Sequence, residues 1–153
     1  MNIKLTIILA FTSLLLNAQR TEFIEPELKS YVYEVLSEFK LQGLYEGLGD
    51  TFIVRFSDLK GSRATAIARG KDIDNLVHII IYRDKWEQLT YAQKRLVILH
   101  ELGHDYLNLE HCEGEGVMMA DVKRVVYPSD LREFKEQFYI DAKGVNLWLY
   151  IAA

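Results

Sequence analysis

Three of the chain's four histidines fall within twelve residues, in the stretch "HELGHDYLNLEH" from His100 to His111. On a helix, residues four apart sit one turn above each other on the same face, so His100 and His104 project in one direction. Two imidazoles placed this way can bind one zinc ion. Glu101 lies beside His100 around the helix and three residues before His104. From there its carboxylate can reach a water on the metal without itself being a ligand. A zinc site that does chemistry needs a third protein ligand and one open position, and His111 is the natural third. Seven residues past His104 a straight helix would point it elsewhere, so the helix must stop and the chain must fold back. Asn108, of a type that tolerates left-handed backbone, is placed to end the helix and swing His111 under the metal.

The neighbouring residues of similar chemistry read differently. His78 sits in an apolar run and is expected to be packed or hydrogen-bonded, not a ligand. Cys112 adjoins His111 too closely to add a second bond to the same ion, and reads as a small buried residue. It is the only cysteine in the chain, which excludes an internal disulfide and leaves stability to a core, aided by a metal.

Several elements must position these groups. "EPELKSYVYEVLSEFKLQG" carries Leu28, Val32, Val35 and Phe39 at helical spacing, with Pro26 suited to a first turn. "TFIVRFSDL" alternates around Phe52, Val54 and Phe56 and predicts a strand. "ATAIARG" predicts a short second strand, and "LVHIIIYRD", rich in β-branched residues, a buried one. Thr90 followed three places on by Gln93 fits a capping box, so the metal helix should begin there and turn Leu96, Leu99, Leu102 and Tyr106 inward. A loop with Gly114 and Gly116 follows. "SDLREFKEQFYIDAKG" predicts a last helix with Leu131, Phe134 and Phe138 inward and Gly144 as its stop. Helix, strands and then helices give an α+β class.

The length of 153 residues, half of them hydrophobic, suits one domain. The net charge of −4 and the absence of a Lys/Arg cluster exclude a usual nucleic-acid binder. The first residues, "MNIKLTIILAFTSLLLNAQ", have the layout of a secretory signal peptide: Lys4, an apolar run from Leu5 to Leu16, and Ala18 at a cleavage point. Residues 1–19 are therefore expected to be the signal and 20–153 a single exported domain, secreted or periplasmic and monomeric, without a stable membrane span once the signal is removed. Only a few residues separate the cleavage point from Pro26, so no inhibitory pro-segment is expected.

These residues resemble the zincin metallopeptidases, and among them the metzincins, whose pattern is H-E-x-x-H-x-x-G-x-x-H followed by a Met-turn. "HELGHDYLNLEH" keeps the first five positions and ends in histidine, with one extra residue between His104 and His111 and Asn108 at the glycine position. "EGVMMAD" resembles the Met-turn, which makes Met118 or Met119 the apolar floor beneath the metal. The resemblance implies a minimal zincin-like domain whose strand at "LVHIIIYRD" rims the cleft and pairs with an extended substrate. It implies an exported zinc-dependent metallopeptidase acting on peptides or proteins, with Zn²⁺ on His100, His104 and His111, Glu101 as general base, and Tyr127 as a further donor to the intermediate. The gluzincin branch instead takes its third ligand from a downstream helix, where Glu133 and Glu136 stand. The competing class is a non-catalytic module with structural zinc or a cleft that only binds peptide, although structural zinc sites favour four ligands and cysteine.

Overall fold

In the computed structural model a four-stranded sheet and its helices enclose one core; the structure describes residues 22–44, 51–58, 63–70, 76–111, 117–118, 132 and 135–144. Strand β1 (Glu22–Ile24) leads through a 3₁₀ turn at Pro26–Leu28 into helix α1 (Lys29–Leu41). Strands β2 (Thr51–Ser57), β3 (Ala66–Ala68) and β4 (Leu76–Tyr82) follow, then a short helix α2 (Arg83–Trp86) and helix α3 (Tyr91–Asp105), which carries His100 and His104. Residues 135–144 form a last helix, α4. The class is α+β, as the order of elements predicts.

The hydrophobic spacing accounts for the core. Leu28, Val32, Val35 and Phe39 are all buried on one side of the first helical segment. Phe52, Val54 and Phe56 are buried while their alternating neighbours are half-buried, so one face of the sheet meets the core. Leu96, Leu99 and Leu102 bring α3 into the same cluster. Phe39 stacks on Phe138 of α4, with ring centroids 6.0 Å apart. Glu38 ties three helices together: it accepts a hydrogen bond from Tyr139 (2.7 Å) and pairs with Arg95 and Lys135. Burial alone would raise its pKa, but the hydrogen bonds from Lys135 and Tyr139 and the charges of Lys135 and Arg95 outweigh it and hold the carboxyl below its usual range.

The strand order is β1-β2-β4-β3, parallel from β1 through β4 and antiparallel at β3. This corrects the expectation that Leu76–Tyr82 rims the cleft. β4 is paired on both sides, by β2 along its full length and by β3 at Ile79–Ile81, so the edge on that side belongs to β3. Two elements have no counterpart in the sequence reading: β1, and helix α2, which takes over at Arg83 where the strand was expected to continue. Among the described residues, no helix is long and apolar enough to cross a membrane. The expected signal segment, Cys112, Gly114, Gly116, Met119, Tyr127, Leu131, Glu133, Phe134 and the C-terminal apolar tail lie outside the described residues. Gly144, expected as the stop of the last helix, is still helical.

Candidate metal centre

Helix α3 starts where the capping box placed it. Thr90 accepts the backbone N–H of Gln93, and the Gln93 side chain accepts the backbone N–H of Thr90. Its end is unusual. The N–H of Leu107 reaches back five residues to the Leu102 carbonyl (3.3 Å) and that of Leu109 six residues to the Gly103 carbonyl (2.9 Å). Both spans exceed the four residues of a regular turn. Asn108 then takes φ 58°, the left-handed conformation expected of it, and alone among the described non-glycine residues has positive φ. The chain turns back, and His111 returns to the helix face it left.

The result is a triangle of ring nitrogens. Nε2 of His104 lies 3.1 Å from Nε2 of His100 and 3.1 Å from that of His111, and the third side is 3.3 Å. The other nitrogens decide what these contacts are. Nδ1 of His100 lies 2.7 Å from the Val117 carbonyl, and Nδ1 of His104 lies 2.7 Å from the Leu109 carbonyl. A carbonyl only accepts, so both Nδ1 atoms carry the proton and both Nε2 atoms present lone pairs. Lone pairs facing each other at this distance repel, and a shared cation is what relieves them. A tetrahedral ion with metal–nitrogen bonds of about 2.0–2.1 Å would set its ligand nitrogens about 3.3 Å apart, close to the sides of this triangle. The three histidines therefore fit a metal ion without rearrangement, and among the described residues they alone form such a cluster. His100 is buried, His104 half-buried and His111 exposed, so the triangle opens toward solvent on the His111 side.

Glu101 is buried beside the triangle but is not part of the cluster. Its carboxylate accepts the backbone N–H of Ala68 in β3. Burial pushes its pKa up to about 7, the Ala68 hydrogen bond opposes this, and the nearby Asp105 charge adds to it. Burial pushes His100 the other way, down to about 4, helped by the charges of His104 and His111 and opposed by the bond to Val117.

The two shifts have opposite consequences for the metal-free protein. Between about pH 6.5 and 4, unfolded His100 binds a proton that the folded protein refuses, so acidification removes stability. Between about 7 and 4.5, folded Glu101 binds a proton that the unfolded chain does not, so acidification adds it. Because the windows overlap, the check is a residue-specific NMR titration: the His100 ring should titrate near 4 and the Glu101 carboxyl near 7. A His100 midpoint near 6.5 would show the ring to be solvated and the triangle open.

Met118, one of the two Met-turn candidates, packs on the helix that carries the histidines. It is buried, and it lies against Gly103 between the two helical histidines. A Cβ at Gly103 would stand 2.6 Å from Met118 Sδ and 2.9 Å from Phe138 Cε2. Gly103→Ala should therefore destabilise despite alanine's higher helix propensity, since overpacking typically costs about 1–3 kcal/mol against the ~1 kcal/mol of propensity gained. Thermal unfolding checks this, and an unchanged or raised Tm would mean that Met118 yields freely.

The sequence-predicted ligands His100, His104 and His111 are brought together. His78 is not among them: its backbone N–H donates to Asp105 (2.8 Å), and its Nε2 is buried without a hydrogen-bond partner. Glu136 is exposed and outside the cluster. The partners supplied by Val117, Leu109 and Ala68 escaped the sequence reading because they are main-chain groups, which leave no trace in residue type. Asp105 escaped it too, although an acid directly after the second histidine was a signal available. No protein-family model, no curated protein and no solved structure matches this chain.

Proposed function

We propose that the chain is an exported zinc metallopeptidase of metzincin-like design. The observation that carries this reading is the triangle of three Nε2 atoms, two of them fixed as lone-pair donors by carbonyls on Nδ1, with a buried carboxylate next to it that is not a ligand. Zinc held by His100, His104 and His111 would supply a Lewis acid that lowers the pKa of a water toward neutrality and polarises a substrate carbonyl.

The chain's own groups do the rest. Glu101 takes the proton of the attacking water and passes it to the leaving amine. Ala68 N–H keeps the Glu101 carboxylate oriented. Val117 and Leu109 fix the tautomers of His100 and His104. Met118 serves as the apolar floor that the Met-turn resemblance implies. The edge strand β3, whose Ala68 N–H is already taken by Glu101, is the element that would line an extended peptide, the recognition mode known as β-augmentation. The extra residue between His104 and His111, relative to the metzincin pattern, is taken up by the wide helix end before Asn108.

Metal analysis of the purified protein, alongside a peptide-cleavage assay with and without a chelator, tests the reading. Stoichiometric zinc and chelator-sensitive cleavage are expected. Full zinc occupancy with no cleavage across a broad peptide library would instead favour a non-catalytic zinc module.

A further inference from the structure

Asp105 follows directly on His104 and closes the last turn of α3. A carboxylate there works against its own helix, whose C-terminal end carries partial negative charge. Its stabilising partners lie in the sheet. Oδ2 accepts the backbone N–H of Gly70 at 2.9 Å and that of His78 at 2.8 Å, and Oδ1 lies 3.0 Å from the same Gly70 nitrogen. One turn earlier on the helix, Glu101 accepts the N–H of Ala68.

The two spacings match. Residues two apart on a strand are about 6.6 Å apart and point the same way, and residues four apart on a helix rise about 6 Å along one face. Ala68 and Gly70 are thus held by Glu101 and Asp105 like two rungs. The fit at the second rung is close: a Cβ at Gly70 would stand 2.1 Å from the Leu76 carbonyl oxygen and 3.0 Å from Asp105 Oδ2. Asp105 also bridges the two strands where their ladder ends, since His78 lies on β4 and its carbonyl accepts Arg69 N–H at 2.8 Å.

We propose that Asp105 is a positioning residue: by clamping the amides of Gly70 and His78 it docks the edge strand β3 on the metal helix, and so sets the edge against which a peptide is bound. The second half of this statement rests on the peptidase reading, and the first half does not. A single oxygen, Oδ2, serves both amides, so a neutral amide oxygen in its place keeps an acceptor for each while losing the charge and the Oδ1 contact to Gly70.

Asp105→Asn and Asp105→Ala separate the possibilities. Both variants should keep stoichiometric zinc and, with cobalt in its place, an unchanged visible spectrum, which reports intact ligands. In Asp105→Ala the amides of residues 66–70 should exchange with deuterium about tenfold faster or more, and KM for an internally quenched decapeptide should rise by about tenfold while kcat changes less. In Asp105→Asn, whose side-chain oxygen can accept both N–H groups but without the charge, exchange and KM should fall between those of Asp105→Ala and of the wild type. Unchanged exchange at 66–70 in Asp105→Ala would overturn the clamp, as would an asparagine variant as impaired as alanine. If the zinc-loaded wild type cleaves no peptide at all, the peptidase reading fails, while the exchange contrast between the two variants still decides whether Asp105 docks β3. Accelerated exchange with an unaltered KM would overturn the link to peptide binding alone.

Discussion

Glu101→Gln is expected to keep its zinc and lose most of its hydrolysis. The substitution preserves shape, and the glutamine carbonyl oxygen can still accept the Ala68 N–H that orients the carboxylate. What disappears is the basic oxygen. Groups in this role typically contribute about 10²–10⁴-fold, so kcat should fall by that factor. KM should move far less, because the lost interaction belongs to proton transfer and not to ground-state binding. The environment suits the role: burial holds the carboxyl up at about 7 in the metal-free protein, poised to exchange a proton near neutral pH. Burying a charge is costly, so replacing it by a neutral amide should leave the fold at least as stable as before. Loss of activity therefore has no ready explanation in unfolding. A zinc-loaded Glu101→Gln protein that cleaves peptides at near the wild-type rate would remove Glu101 from the mechanism.

How far this site could be read from the sequence follows from what each signal depends on. The capping box at Thr90 and Gln93, the helical spacing of His100 and His104, and the left-handed turn at Asn108 are local: side-chain type and backbone preference over a few residues suffice, and the structure realises all three. The burial of Leu28, Val32, Val35 and Phe39 was legible for the same reason. Strand order was not. β4 stands where a cleft rim is expected, yet its apolar run reflects burial of both faces over Ile79–Tyr82, in a strand paired on both edges. The edge belongs to the short β3, held to α3 by Glu101 at Ala68 and by Asp105 at Gly70, two residues past its end. β1 is only three residues long, and its parallel partner β2 lies across an entire helix in the chain, so no local pattern announces it. The Val117 and Leu109 carbonyls behind the histidines are invisible to residue type altogether. Residue types thus name the three histidines that converge, and the structure was needed to find the groups that hold them.

Removing a histidine is expected to abolish tight zinc binding, and His104 is the most informative one to remove. It sits at 3.1 Å from both other ring nitrogens, so it is common to the two shortest sides of the triangle. Losing only a second-shell partner of a zinc ligand typically costs about 10–100-fold in affinity, so losing the ligand itself in His104→Ala should cost more than about 100-fold. Stability gives an independent reading. At a free zinc concentration of about 100 times Kd, the wild type should gain about 2.7 kcal/mol over its metal-free form, and His104→Ala at the same concentration should gain almost nothing. The third ligand is then settled by comparison. His111 is exposed and stands on a returning loop, but its Nε2 completes the triangle within 3.3 Å of both partners, so His111→Ala should lose zinc in the same way. Glu136 is exposed and outside the cluster, and Glu136→Ala should bind zinc like the wild type. Full affinity in His111→Ala, beside a loss in Glu133→Ala or Glu136→Ala, would move the third ligand onto the last helix and exchange the metzincin-like arrangement for the gluzincin one.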